Sequence, residues 1–168
     1  IYRRILNDTF MKYLVKTIFS LTIISSLIFS SCNQKSTKKE FNPEDYKLVN
    51  TAIQDYVEGL YFVDSTKIDR SVDKKMRKIG YYYSKKTKTY RDNLEMTHTQ
   101  LSNLAARWNK DGKNVNKNSP KEIEIFDVNS KTASAKLTAQ WGIDLFHLAK
   151  VNGQWKIMNI IWQSHPEK

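Results

Sequence analysis

The sequence predicts an α+β fold in which three N-terminal helices pack against one face of a curved antiparallel sheet. Between residues 43 and 108 apolar side chains recur mostly at helical spacing, whereas after residue 121 short strand-like segments follow one another and are joined by turns. The chain has 168 residues, of which 40% are apolar and 27% are charged. This length and composition suit one globular domain with an additional segment.

Residues 11–31 have the layout of an export signal. Met11 and two nearby lysines precede an uncharged apolar run at residues 17–29, which is followed by two serines. Cys32, the only cysteine in the chain, comes next. This arrangement resembles the signal of bacterial lipoproteins, in which the cysteine is lipidated and becomes the mature N-terminus. The resemblance implies export and a lipid anchor that holds the protein at the cell envelope.

The remaining N-terminal residues are not expected to belong to the domain. Residues 1–10 precede Met11, and we expect them to be an over-extended start. Residues 32–42 are polar and carry no periodic pattern, so they are expected to form a flexible tether. The folded domain is therefore placed at residues 43–168.

The first helix is predicted to run from Pro43 to about Leu60. Asn42 provides a capping side chain, Pro43 suits the first helical position, and acidic residues follow in the first turn. The apolar positions that recur at helical spacing are Tyr46, Val49, Ile53, Tyr56, Val57 and Leu60.

Two further helices are predicted before the sheet. The second runs from about Ser65 to Ile79 and ends at Gly80, with basic side chains on its exposed face. The third opens with the capping-box pattern of Thr97 and Gln100. Its inward positions are Leu101, Leu104, Ala105 and Trp108.

The strands are indicated by alternation and by turn residues. The tyrosine-rich segment at 81–96 surrounds a basic turn, and residues 132–141 alternate apolar and polar side chains. Asn152-Gly153 is a strong hairpin signal between two apolar runs. A meander of antiparallel strands therefore closes the domain.

The positive charge is concentrated in one segment. The formal net charge is +11, and residues 67–91 contain ten Lys or Arg and two acidic residues. Exposed tyrosines among these cations would suit a nucleic-acid platform, but an exported protein rarely meets nucleic acid, so no nucleic-acid partner is expected. A solvated helix face, or contact with anionic lipid or polysaccharide, fits better. The three scattered histidines have no zinc-site spacing, and no metal or cofactor is expected.

The segment HLAKVNGQWKIMNIIW at 147–162 resembles the C-terminal hairpin of the nuclear transport factor 2-like superfamily, in particular its putative lumazine-binding branch, close to the SnoaL-like proteins. The helix AIQDYVEGLYFVDSTKI at 52–68 resembles the opening helix of that superfamily. The resemblance implies a cone, in which a strongly bent sheet wraps three helices and leaves a cavity. It also implies homodimers through the sheet and a small flat, pteridine-like ligand.

Six side chains are candidates for lining such a cavity: Tyr56, Trp108, Trp141, Asp144, His147 and Asn159. Aromatic rings bury a large area and stack on flat molecules. Asn159 is expected to share a face with three apolar residues, where it would bond either the backbone or a ligand: Trp155, Ile157 and Ile161.

Three residues are weak candidates for catalysis. Asp144 and His147 are three apart on one strand, so a regular strand places them on opposite faces. Asp64 is expected to cap the second helix, although in some superfamily enzymes an acid at this turn reaches the cavity.

Three functions are therefore compatible with the sequence. The first is an envelope-anchored module that binds a small flat or apolar ligand without catalysis. The second is an isomerase, dehydratase or hydrolase that uses an acid or base in the cavity. The third is a non-catalytic protein-interaction domain at the cell envelope.

Overall fold

The computed structural model describes residues 42–165, and it has three helices and one six-stranded sheet. The predicted export signal, Cys32 and most of the tether lie outside these residues. The elements in chain order are α1 (Pro43–Tyr61), α2 (Ser65–Ser71), β1 (Val72–Ser84), β2 (Thr89–Met96), α3 (His98–Ala105), β3 (Lys121–Val128), β4 (Thr132–Ala139), β5 (Gly142–Val151) and β6 (Gln154–Gln163). No helix within residues 42–165 is long and apolar enough to cross a membrane.

Helix α1 begins as the sequence predicts. The Asn42 side chain accepts hydrogen bonds from the backbone N–H groups of Glu44 and Asp45, and Pro43 occupies the first turn. The side chain of Asp45 accepts further bonds from the Trp155 indole and from Lys150. These contacts fix the start of α1 to the last two strands. The pKa of Asp45 is lowered, chiefly by the hydrogen bond from Lys150.

The sheet has the order β2-β1-β6-β5-β4-β3 and is mostly antiparallel. β1 and β6 lie side by side in parallel, which brings the first and last strands of the domain together in the centre of the sheet. The Asn152-Gly153 turn between β5 and β6 has positive φ at both residues, as the predicted hairpin requires. The α+β class is confirmed. The sheet is mixed, because β1 and β6 are parallel whereas the other neighbouring strands are antiparallel.

The prediction for the second helix is wrong beyond Ser71. Residues 72–79, which were expected to continue that helix, form the first part of β1. Within β1, Met76 and Lys78 are buried, whereas Arg77 between them is exposed. Pairing with β2 on one side and β6 on the other supplies the backbone hydrogen bonds of this segment, and this tertiary pairing outweighs the local helical spacing.

The core lies between the inner face of the sheet and the helices. Its fully buried side chains include Ile53, Tyr56 and Val57 from α1 and Leu137, Phe146 and Ile160 from the sheet. Helix α3 covers part of the same face, and its capping box of Thr97 and Gln100 is formed as predicted. Because the strands alternate, the outer face of the sheet carries a separate set of residues.

That outer face has an apolar row at its centre. Ile79 on β1 pairs with Ile161 on β6, which pairs with Leu145 on β5. Leu145 is 47% exposed and Ile161 is 41% exposed. Adjacent exposed apolar side chains on neighbouring strands form a patch of the kind that mediates contacts between proteins.

Candidate functional site

A cavity of about 120 Å³ lies between the inner face of the sheet and helix α3. It is lined by Leu60, Lys78, Met96, Leu101, Leu104, Trp108, Trp141 and Trp162. Seven of these side chains are apolar or aromatic, and Lys78 is the charged member of the lining. A cavity of about 150 Å³ with apolar walls is sufficient to bind benzene, so this one is the size of a single ring.

Three tryptophans form the aromatic walls of the cavity. The rings of Trp108 and Trp141 meet edge to face with their centroids 5.3 Å apart. Tyr61 stacks on Trp108 and meets Trp141 edge to face. Its hydroxyl group donates to the carbonyl of Pro120 and accepts from the N–H of Gln140. Tyr61 is therefore fixed to the backbone by two hydrogen bonds, and its ring supports both Trp108 and Trp141.

Trp141 is positioned by the tight turn between β4 and β5. Gly142 follows it with a φ of 146°, and a Cβ atom there would lie 2.0 Å from the carbonyl oxygen of Gln163. Only glycine fits this close approach of two backbones. The indole of Trp141 then donates to Asp144, with Nε1 2.7 Å from Oδ2.

Trp162 is positioned by a second glycine. Its indole lies across Gly80 of the neighbouring strand β1, where a Cβ atom would lie 2.0 Å from the indole Nε1. A glycine within a strand often marks such a close approach. Gly80 therefore leaves the space that Trp162 needs to form a wall of the cavity, instead of ending a helix as the sequence suggested.

Lys78 connects the cavity to a buried polar network beneath it. Its Nζ lies 2.5 Å from the hydroxyl oxygen of Tyr56 and 3.2 Å from Oδ1 of Asp144. The Tyr56 hydroxyl group donates to Oδ2 of Asp144 at 3.3 Å. Lys78 is also within 5.5 Å of the centre of the Trp162 ring, which allows a cation–π contact.

Burial controls the ionisation of this network. It lowers the pKa of Lys78, and the nearby negative charge of Asp144 acts in the opposite direction. Burial, followed by the charge of Asp144, raises the pKa of Tyr56 well above its ordinary value. Tyr56 therefore stays protonated, which lets its hydroxyl group donate to Asp144 while it accepts from Lys78.

The structure separates Asp144 from His147 as strand alternation predicts. Asp144 is fully buried on the inner face, whereas His147 is exposed on the outer face. The two residues therefore do not form an acid–base pair, and His147 does not reach the cavity. Asp64 caps α2 and accepts from the N–H of Thr66, as expected, and it is not among the residues that line the cavity.

Asn159 shares a face with Ile161 as predicted, but the prediction that it also shares one with Trp155 and Ile157 is wrong. The pairing of β5 with β6 shifts by one residue, so that Leu148 opposes Ile157 but His147 opposes Asn159. This β-bulge at Met158 reverses the faces of the residues that follow it. Asn159 therefore lies beside His147 on the outer face, and Trp162 turns inward.

Four of the six residues proposed for ligand contact thus lie at or beneath the cavity. Trp108 and Trp141 line it, and Tyr56 and Asp144 hold Lys78 from behind. Lys78 and Trp162 were not among these candidates. The sequence carries no clear signal for Lys78, because it follows other basic residues and its neighbour Ile79 is the apolar one; its burial follows from the pairing of β1 with β2 and β6.

Comparisons with known proteins agree with this fold. The sequence model of the family described as Putative lumazine-binding matches residues 44–163. A nuclear transport factor 2-like protein of unknown function from Silicibacter pomeroyi is 13% identical, with a TM-score of 0.54, and the match covers 73% of this chain and 97% of that one. A similar protein from Methylobacillus flagellatus is 18% identical, with a TM-score of 0.53 and coverage of 76% and 98%. No curated protein sequence matches the chain.

These likenesses show the fold and the family but no activity. A third solved structure, of a nuclear transport factor 2-like protein of unknown function from Shewanella baltica, is 18% identical with a TM-score of 0.50, and the match covers 74% of this chain and 96% of that one. At such identities, the function has to be argued from the site itself.

The pairing of Lys78 with Asp144 predicts that replacing the aspartate lowers the stability of the fold by an amount that depends on pH. We expect Asp144→Asn to lower the free energy of unfolding by about 3–5 kcal/mol at pH 7, because it leaves a buried ammonium without its counter-charge. The pKa of Lys78, already lowered by burial, falls further without Asp144. A lysine with a lowered pKa in the folded chain makes stability rise with pH until about 10.4, the ordinary lysine value. Because the pKa of Lys78 is lower in the variant, the variant gains more stability as the pH rises. The difference in the free energy of unfolding between the wild type and Asp144→Asn should therefore shrink between pH 7 and pH 10.

Urea denaturation at several pH values measures this effect. The double variant Lys78→Met/Asp144→Asn has neither titratable group and serves as the control. Its free energy of unfolding should lack the change with pH that the titration of Lys78 causes. An Asp144→Asn defect of the same size at pH 7 and pH 10 would contradict the assignment of a charged Lys78.

Proposed function

We propose that this chain, which belongs to the Putative lumazine-binding family of the nuclear transport factor 2-like superfamily, binds a small flat molecule in the cavity without chemically changing it. The observation that carries the proposal is the cavity of about 120 Å³ with three tryptophan walls and one ammonium group. Apolar walls with a few well-placed polar groups are typical of sites for small molecules.

The positions of the acidic and basic residues favour binding over catalysis. An acid–base enzyme needs titratable groups that face one volume. Of the three candidates, Asp64 caps a helix and His147 lies on the outer face, so only Asp144 is near the cavity. Its carboxylate already accepts hydrogen bonds from Lys78, Tyr56 and Trp141, and it is not among the residues that line the cavity.

The presence of the cavity favours a ligand over a purely structural interior. A domain that only contacted other proteins would not need a cavity between its tryptophans, and protein interiors are usually closely packed. The size of the cavity restricts the ligand to one ring within the walls. A two-ring molecule such as a lumazine would have to extend part of its second ring through the mouth.

The size of the cavity predicts which molecules bind. We expect one-ring and two-ring planar compounds to raise the melting temperature and to change tryptophan fluorescence, and three-ring flavins and fatty acids to do neither. Binding at a hundredfold excess over Kd stabilises the folded state by about 2.7 kcal/mol. Trp108→Leu should weaken binding about tenfold through the loss of an aromatic wall.

Trp155→Phe is the matched control for this experiment. It removes a buried tryptophan that bonds Asp45 and does not line the cavity, so affinity should stay unchanged. Equal losses in both variants, or strong binding of flavins, would contradict the proposed site.

We also propose that two copies associate through the outer face of the sheet. The apolar row of Ile79, Ile161 and Leu145 supports this arrangement, and so does the polar character of the flanking positions. Leu145→Lys would place like charges on both sides of a twofold interface. We expect this variant to sediment as a monomer while keeping the wild-type secondary structure.

Leu48→Lys provides the control for association. Leu48 is 36% exposed on α1 and does not belong to the sheet, so the variant should sediment as the wild type does. A wild-type protein that is monomeric at all concentrations would overturn the proposed dimer.

We further propose that the domain is tethered to a bacterial membrane through lipidated Cys32. The signal-like sequence at residues 11–31 and the single cysteine directly after it support this localisation. The Cys32→Ser variant should incorporate no labelled palmitate and should leave the membrane fraction, whereas Ser36→Ala in the tether should change neither. Membrane association of Cys32→Ser equal to that of the wild type would contradict lipid anchoring.

A further inference from the structure

Within residues 42–165, the ammonium group of Lys78 has two hydrogen-bond acceptors for its three N–H donors. A lysine ammonium carries three N–H donors. Two of them are accounted for by Tyr56 and Asp144, and beyond the Trp162 ring residues 42–165 provide no third oxygen or nitrogen acceptor. The Lys78 side chain is only 6% exposed and lines the cavity. Because an unpaired donor on a buried charged group is costly, its partner is expected to come from whatever occupies the cavity.

The charge around this donor restricts that partner. The negative charge of Asp144 balances the positive charge of Lys78, so the network beneath the cavity is neutral overall. The other seven side chains of the lining are apolar or aromatic, and the indole N–H of Trp141 is bound to Asp144. An anionic ligand would therefore bring an uncompensated charge into an apolar site, whereas a neutral acceptor would not.

We propose that the cavity selects neutral, flat carbonyl compounds, whose ring lies between the tryptophans and whose carbonyl oxygen accepts the third N–H of Lys78. This proposal rests on the proposed binding function and specifies its ligand class. Tyr56 and Asp144 act as positioning residues, because they hold the ammonium group in place and do not line the cavity themselves.

Three one-ring probes of similar size test the proposal. Acetophenone has a neutral carbonyl group, ethylbenzene has none, and benzoate carries a negative charge. Their affinities are measured by calorimetry with the full chain and with Lys78→Met/Asp144→Asn, which removes both charges but keeps an acceptor at position 144. The two neutral probes differ in hydration, so the informative quantity is the ratio of their affinities in each protein.

We expect the ratio of acetophenone to ethylbenzene affinity to fall by about tenfold or more in the double variant, as a hydrogen bond to a charged group implies. Ethylbenzene should bind both proteins comparably, and benzoate should bind the wild type more weakly than acetophenone. The infrared carbonyl stretch of ¹³C-labelled acetophenone bound to the wild type should lie at a lower frequency than that of the same compound in an apolar solvent without hydrogen-bond donors. This readout would not respond to a purely structural role of Lys78, and it does not require the variant to fold.

The outcomes separate this inference from the proposed function. Binding of both neutral probes with an unchanged affinity ratio and no carbonyl shift would overturn the role of Lys78 but leave the binding cavity in place. Tightest binding by benzoate would overturn the selection for neutral molecules. If none of the three probes bound, the proposed binding function would fail together with the inference.

Discussion

The order and register of the central strands depend on the buried pair of Lys78 and Asp144 on the inner face of the sheet. Two isolated charges in an apolar interior are costly, and they become tolerable only when each is held close to the other and hydrogen-bonded. The pair sits on β1 and β5, on either side of β6. Its geometry therefore requires that β6 lies between the two strands in the observed register, and that Tyr56 of α1 reaches the same point. This network thus connects β1, β5 and the intervening β6 with helix α1.

The cavity follows from the same arrangement. Lys78 directs its side chain toward Tyr56 and Asp144, so that polar atoms fill the space beneath the tryptophans. Gly80, two residues further along β1, leaves room for the Trp162 ring, and Gly142 allows the turn that presents Trp141. Two glycines therefore position Trp162 and Trp141, Tyr61 stacks on Trp108, and the space between the three tryptophan rings is the cavity.

Local signals in the sequence were sufficient for much of the fold. The capping pattern at Asn42, the capping box at Thr97 and the Asn152-Gly153 turn each act within a few residues, and the structure contains all three. The strand at 72–79 could not be obtained in this way. Its helical spacing is a local signal, whereas its strand conformation depends on β6, some eighty residues later in the chain.

The site was harder to predict than the fold because register decides which side chains meet. Alternation correctly separated Asp144 from His147, since no irregularity lies between them. One additional residue at the Met158 bulge reversed the faces beyond it, which removed Asn159 from the interior and brought in Trp162. Such a bulge has no clear signature in a run of apolar residues, so its consequences appear only in three dimensions.

The hydrogen bonds around Asp144 also support the proposal that the cavity binds its ligand without changing it. The carboxylate of Asp144 accepts hydrogen bonds from three donors and is not among the residues that line the cavity. Tyr56 and Asp144 together hold Lys78 in a fixed orientation and accept two of its three N–H donors. The network that engages the carboxylate of Asp144 is therefore the network that orients Lys78, and a donor held in place before binding lowers the entropic cost of recognising a ligand.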